Sequence, residues 1–246
     1  MEPSCKPLLW HSVRVISVSC VVALIAWTQS GCGSSRQPPS TAEVAEPPAK
    51  EAPAPRAASK PDPRPVIVAF GDSLTAGFGA ESGYSYPDFL QKDLDAAGLE
   101  WHVVNAGVSG DTTTDGVNRL GEVLDAKPSV VILEFGGNDG LRGLPLETTR
   151  ANLEQMVKTL HDAGVTVILA GMTLPPNYGP EYIRSFEQIY RDLAAKYKLV
   201  RIPFLLEAVA LNRSLMQRDG IHPTAQGNEK VAATVMKYLK PVLASR

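Results

Sequence analysis

Ser73, Asp219 and His222 are the side chains whose types and placement could do chemistry together. A serine hydroxyl is a weak nucleophile until a base takes its proton. Ser73 lies in FGDSLTAGFG, Phe70 to Gly79, where the apolar run PVIVAF stops abruptly at Gly71. His222 lies in DGIHP, Asp219 to Pro223. An Asp three residues before a His can reach its imidazole and hold its tautomer. On spacing alone, Asp219 and His222 read equally well as caps of the last helix. His102 falls in a strand pattern, and His161 sits beside Asp162 at a helix end. Packing and the helix dipole explain these two.

Attack on an acyl carbonyl also needs donors for the oxyanion. The backbone N–H of Ser73, the backbone N–H of Gly110 and the side-chain amide of Asn138 are candidates. Their loops, GVSGDT (Gly107 to Thr112) and GGNDG (Gly136 to Gly140), are equally readable one at a time as Gly/Asn/Asp turns. Asp72, Asp111 and Asp139 are expected to hold turns and supporting contacts rather than a metal, because no His-rich set accompanies them. No metal and no cofactor are expected.

The elements that must carry these loops alternate along the chain. Strands are expected at Val66–Phe70, Trp101–Ala106, Val130–Phe135, Val165–Ala170 and, more weakly, Leu199–Ile202. Most are β-branched and nearly continuous, as in strands covered on both faces. Helices are expected at Tyr86–Ala97, Thr114–Ala126, Glu147–Ala163, Pro180–Tyr197 and Thr224–Ser245, the last kinking or stopping at Pro241. Leu153, Met156, Val157 and Leu160 follow an i, i+3, i+4, i+7 pattern. Gly164 closes that helix. Such alternation implies an α/β parallel sheet with right-handed crossovers. Ligand sites in such sheets form beyond the carboxyl ends of the strands. Ser73, GVSGDT and GGNDG follow the first three strands, so they share that edge.

The first quarter of the chain reads differently. Lys6 and Arg14 precede an apolar run, Val15 to Trp27. That run is short for a membrane span of roughly 20 residues and suits a signal peptide, residues 1–31. Gln29-Ser30-Gly31-Cys32 resembles the bacterial lipoprotein signal, with Gln29 where Leu is usual, and implies lipidation of Cys32. Gly33 after it resembles outer-membrane sorting. Residues 32–64 then form a tether rich in Pro, Ala, Ser and Glu, with too few large apolar residues to build a core. At about 3.1 Å per residue its stretch from Ser34 to Arg64 reaches at most about 95 Å. The three cysteines are Cys5, Cys20 and Cys32, so the domain of residues 65–246 has none. It therefore has no disulfide, thiol nucleophile or thiolate metal ligand. A net charge of −2 gives no sign of nucleic-acid binding. A monomer is expected, anchored in the cell envelope through its lipid or, failing lipidation, soluble and secreted or periplasmic.

GDSLTAGFG, NAGVSGDT, EFGGNDGLRG and DGIHP resemble, in order, the four sequence blocks of the SGNH (GDSL) hydrolases. The resemblance spans about Val66 to Leu239. LPPNYGPEYIRSFEQIYRDLAAKY is similar to the periplasmic thioesterase, lysophospholipase and arylesterase branch of that family. The resemblance implies a three-layer α/β/α sandwich with a five-stranded parallel sheet in flavodoxin-like order. It implies Ser73 as nucleophile, His222 as base, Asp219 as its orienting carboxylate, and Ser73, Gly110 and Asn138 as the oxyanion hole. The substrate implied is a small acyl ester or thioester. An O-acetyl glycan of the envelope is the alternative substrate. An inactive binding module would be expected to have lost Ser73, His222 or Asn138, and all three are present.

Overall fold

The computed structural model describes residues 62–245. The expected signal peptide, Cys32 and most of the expected tether lie outside the described residues. Five parallel strands form the sheet: β1 (Val66–Gly71), β2 (His102–Gly107), β3 (Val130–Glu134), β4 (Thr166–Ala170) and β5 (Val200–Ile202). Their spatial order is β2-β1-β3-β4-β5. This is the flavodoxin-like order, whose switch point lies between β1 and β3. The apolar runs form the central strands because both faces are covered. Ile67 to Phe70, Val130 to Leu133 and Ile168 to Ala170 are essentially inaccessible. The edge strand β2 is half-exposed.

Among the described residues, eight α-helices flank the sheet: α1 (Ser73–Ala76), α2 (Tyr86–Ala96), α3 (Thr113–Asn118), α4 (Leu120–Asp125), α5 (Gly137–Leu141), α6 (Leu146–Asp162), α7 (Pro180–Tyr197) and α8 (Ala225–Ala244). Helices α2 and α8 pack together on one face, and α6 packs against α3 and α7 on the other. Ser85 and Asp88 form a capping box at the start of α2, which fixes where that helix begins. Asn228 donates to the Tyr84 carbonyl at 2.9 Å and so aligns the start of α8 with the start of α2. At the amino edge of the sheet, Arg64 bonds Asp62 and reaches Asp95 near the end of α2.

Three expectations are corrected. The single helix expected over Thr114–Ala126 is two, broken at Arg119. Gly116, Asn118 and Gly121 favour helix poorly, and Arg119 turns its side chain inward to bond strand ends. The last helix does not stop at Pro241 but runs to Ala244. Burial of Val242 and Leu243 holds its final turn in place. The GGNDG stretch, read as a loop, contains the short helix α5.

Candidate active site

Ser73 is the first residue of α1, immediately beyond β1. The turn is tight because of two glycines. A Cβ at Gly71 would lie 2.2 Å from Thr75 Oγ1 and 2.4 Å from Glu134 Oε2. A Cβ at Gly107 would lie 2.2 Å from the Ala76 nitrogen, so only glycine lets α1 settle on the end of β2. Asp72 caps the turn, its Oδ1 accepting the Leu74 N–H at 3.0 Å. As the first residue of a helix, Ser73 keeps a backbone N–H with no intrahelical acceptor.

His222 Nε2 lies 2.9 Å from Ser73 Oγ, and His222 Nδ1 lies 2.7 Å from Asp219 Oδ2. A carboxylate can only accept, so Nδ1 carries the hydrogen and Nε2 is left to accept from the serine hydroxyl. Asp219 Oδ1 also accepts the N–H groups of Ile221 and His222. Partial burial pushes the Asp219 carboxyl up. The hydrogen bonds from the His222 ring and from the Ile221 and His222 backbone outweigh it, leaving the carboxyl below its ordinary range. Thr224, not Asp219 or His222, caps α8. The capping alternative is thereby resolved: Asp219 fastens the histidine loop. Gln217 staples that loop to the serine loop, donating to the carbonyls of Phe78 at 2.7 Å and Pro223 at 2.9 Å. The Phe78 and His222 rings are 4.7 Å apart.

Gly110 and Asn138 face Ser73 across the same cleft. Gly110 has φ +90, a conformation that favours glycine. Its carbonyl accepts from Arg142 at 2.9 Å. Asn138 Nδ2 donates to Asp111 O at 2.9 Å and Asp72 Oδ2 at 3.1 Å. Arg119 clamps the edge beneath. It bonds Asp111 Oδ2 at 2.6 Å and the carbonyls of Ala106 and Gly71 at 2.7 Å each. Its guanidinium also lies 4.5 Å from the Phe70 ring centre.

The other acids of the site hold structure. Asp139, buried at the start of α5, binds the backbone and hydroxyl of Thr113. Asp72 and Glu134 lie behind Ser73, both nearly inaccessible. Burial raises the Asp72 carboxyl to about 6 against the pull of its hydrogen bonds. Burial and the neighbouring Asp72 raise Glu134 well above its ordinary range. No group of three or more His, Cys, Asp or Glu side chains suited to a metal occurs among the described residues. His102, at the amino end of β2, and His161, in the last turn of α6, lie away from Ser73.

The cleft has a volume of about 900 Å³. Beyond Ser73 its walls are apolar, with Leu141, Met172, Leu174, Phe204, Leu206 and Met216 contributed by the segments after β3, β4 and β5. Sequence reasoning did not single out Arg119, Arg142, Gln217 or Glu134. Glu134 had a signal, a charge closing the otherwise apolar run VVILE. The other three bond backbone carbonyls distant in the chain, which leaves no local pattern.

The sequence blocks and the fold agree with what the chain is similar to. The model of the GDSL-like Lipase/Acylhydrolase family matches residues 69–230. "Esterase TesA" of Pseudomonas aeruginosa is 40% identical over 179 residues, covering 72% of this chain and 89% of that protein. "Thioesterase 1/protease 1/lysophospholipase L1" of Escherichia coli strain K12 is 36% identical over 179 residues, covering 72% of this chain and 85% of that protein. Among solved structures, that of TesA superposes with a TM-score of 0.69 at 40% identity, covering 72% of this chain and 98% of the other. AlinE4, described as an SGNH-hydrolase family esterase, gives 0.62 at 44% identity, with coverage of 73% and 97%. The chain belongs to the GDSL-like lipase/acylhydrolase family and is an ester hydrolase.

Proposed function

We propose that the chain hydrolyses carboxylic esters and thioesters of medium or longer acyl chains through a Ser73–His222–Asp219 triad. The observation that carries this reading is the hydrogen-bonded run from Asp219 through His222 to Ser73 Oγ, set at the mouth of an apolar cleft. Ser73 Oγ attacks the acyl carbonyl while His222 Nε2 takes its proton. The oxyanion is held by the N–H groups of Ser73 and Gly110 and by Asn138 Nδ2, which turns one of its present hydrogen bonds toward it. His222 then gives its proton to the leaving alcohol or thiol. Water deprotonated by the same ring attacks the acyl-serine and releases the acid. Asp219 keeps the imidazole in the productive tautomer and stabilises its cationic form.

The apolar walls favour an acyl chain over an acetyl group on a glycan. A methylene buried fully is worth about 0.8 kcal/mol, and in an open cleft roughly half of that. The expected gain in kcat/KM is therefore about two- to fourfold per added methylene until the cleft is filled. The test is a panel of p-nitrophenyl acetate, butyrate, octanoate and palmitate with octanoyl-coenzyme A, using the protein and its Ser73→Ala variant. Activity rising beyond acetate and absent from the variant supports the reading. Full activity in Ser73→Ala refutes the nucleophile, and a preference for acetate moves the substrate to O-acetyl glycans. An envelope location with a lipid on Cys32 rests on the sequence of the leader. Mass spectrometry of the mature N-terminus tests it, and an unmodified end beyond Cys32 refutes it.

A further inference from the structure

At the carboxyl ends of β1 and β3, behind the Ser73 turn, two carboxylates meet out of contact with water. Asp72 is 2% exposed and Glu134 is fully buried. Glu134 bonds the Asp72 backbone, which sets the two carboxyl groups side by side. Glu134 Oε2 accepts the Asp72 N–H at 3.1 Å and the Thr75 hydroxyl at 2.9 Å, whereas Oε1 is buried with no donor. Asp72 has donors on both oxygens, Leu74 N–H on Oδ1 and Asn138 Nδ2 on Oδ2. Neither acid has an ion-pair partner among the described residues.

The groups around the pair supply no cation bonded to either carboxyl. Thr75 and the Tyr86 hydroxyl, 3.3 Å apart, flank Glu134 from α1 and α2. Tyr190 of α7 acts on it too, but its hydroxyl is committed to the Phe135 carbonyl at 2.8 Å. Arg119, on the same edge, is spent on Asp111 and two carbonyls. His222 acts on Asp72. Two neighbouring buried carboxylates without a cation between them do not both ionise, so the pair retains a proton. Glu134 is the deeper of the two and has an oxygen that no donor meets. Asp72 has two donors, which favour its anion.

We propose that Glu134 is a positioning residue of this hydrolase: it keeps its proton and donates it to Asp72, so that anionic Asp72 fixes the Asn138 amide and the Ser73 turn. No covalent step is involved. The arrangement makes the oxyanion side of the site depend on an acid that never touches substrate. Its catalytic half rests on the reading of Ser73 as nucleophile.

The test compares the full chain with Glu134→Gln, which keeps a neutral donor, and Glu134→Ala, which removes it. At pH 7 the infrared spectrum of the wild type should show the C=O stretch of a buried protonated carboxyl, and Glu134→Gln should lack it. On p-nitrophenyl butyrate, Glu134→Gln should keep kcat within about threefold. Glu134→Ala should lose about 10- to 100-fold in kcat, part of what the loss of an oxyanion donor costs, with KM little changed. Absence of the band in the wild type, equal loss of kcat in both variants, or full activity in Glu134→Ala overturns the proposal. Should Glu134→Ala not fold, the band and the Glu134→Gln kcat decide. A wild type without esterase activity would count against the Ser73 reading, and the band would still decide where the proton is.

Discussion

Replacing Glu134 by Gln exchanges an O–H donor for an N–H donor and removes one titration from the folded protein. The unfolded chain releases the Glu134 proton around the ordinary value of 4.5, whereas the folded chain retains it to a much higher pH. Above about pH 5.5 the unfolded state therefore binds one proton fewer than the native state at this position. Stability then falls as pH rises, by about 1.4 kcal/mol per pH unit for one proton. This contribution is fully present below the unfolded value and is lost as pH rises through the folded one. Gln does not titrate, and the carboxylates away from the pair titrate alike in both chains. Asp72 receives a donor from residue 134 in either protein. The stability of Glu134→Gln relative to the wild type should therefore grow as pH rises above about 5.5, along that slope for as long as Glu134 keeps its proton in the fold. Any difference in packing between the two groups adds a constant and leaves the slope alone. Urea denaturation of both proteins at several pH values measures it, provided the m-values agree. A difference that stays constant with pH would show that Glu134 is ionised in the fold and would refute the reasoning.

Three other outcomes are expected. Asp219→Asn should lower kcat by about 10- to 200-fold. An ion pair at 2.7 Å with effective dielectric roughly 40–80 is worth about 1.5–3 kcal/mol, and the Asp219 side chain is 38% exposed. Steady-state kinetics showing less than a twofold loss would remove Asp219 from the triad. Asn138→Ala should cost about 10²–10³ in kcat with KM little changed, and a change in KM alone would argue that Asn138 binds substrate without stabilising the oxyanion. Arg119→Met should destabilise the fold by about 2–4 kcal/mol, because it strands Asp111 and two strand-end carbonyls. Chemical denaturation showing a loss below about 0.5 kcal/mol, the size of an ordinary surface change, would contradict that role.

The sheet was legible because its central strands are apolar on both faces, which gives runs such as VIVAF and VVILE a length and composition that helices rarely share. The carboxyl-edge rule then places Ser73, Gly110 and Asn138 on one side from the sequence alone. The placing of Asp219 and His222 was not legible from pattern. Residues 203–224 contain no helix or regular strand, and the loop is held by Gln217 and a Met216–Pro223 bridge. Helix α3 ended early for a related reason. Arg119 is a good helix former whose side chain finds more hydrogen bonds at the ends of β1 and β2 than helix continuity offers. Propensity summed along the chain does not register partners that are distant in sequence.

The alignment of α8 with α2 has a consequence for how the domain can be joined to other things. Asp62 and Arg64 sit at the amino edge of the sheet. Helix α8 starts beside the histidine loop, next to the start of α2, and its 20 residues carry the chain about 30 Å back toward the same edge. Both ends of the folded unit thus leave from the pole opposite the mouth of the cleft. The hydrolase can be spliced between two other sequences, or fixed to a bead by either end, with its opening facing outward.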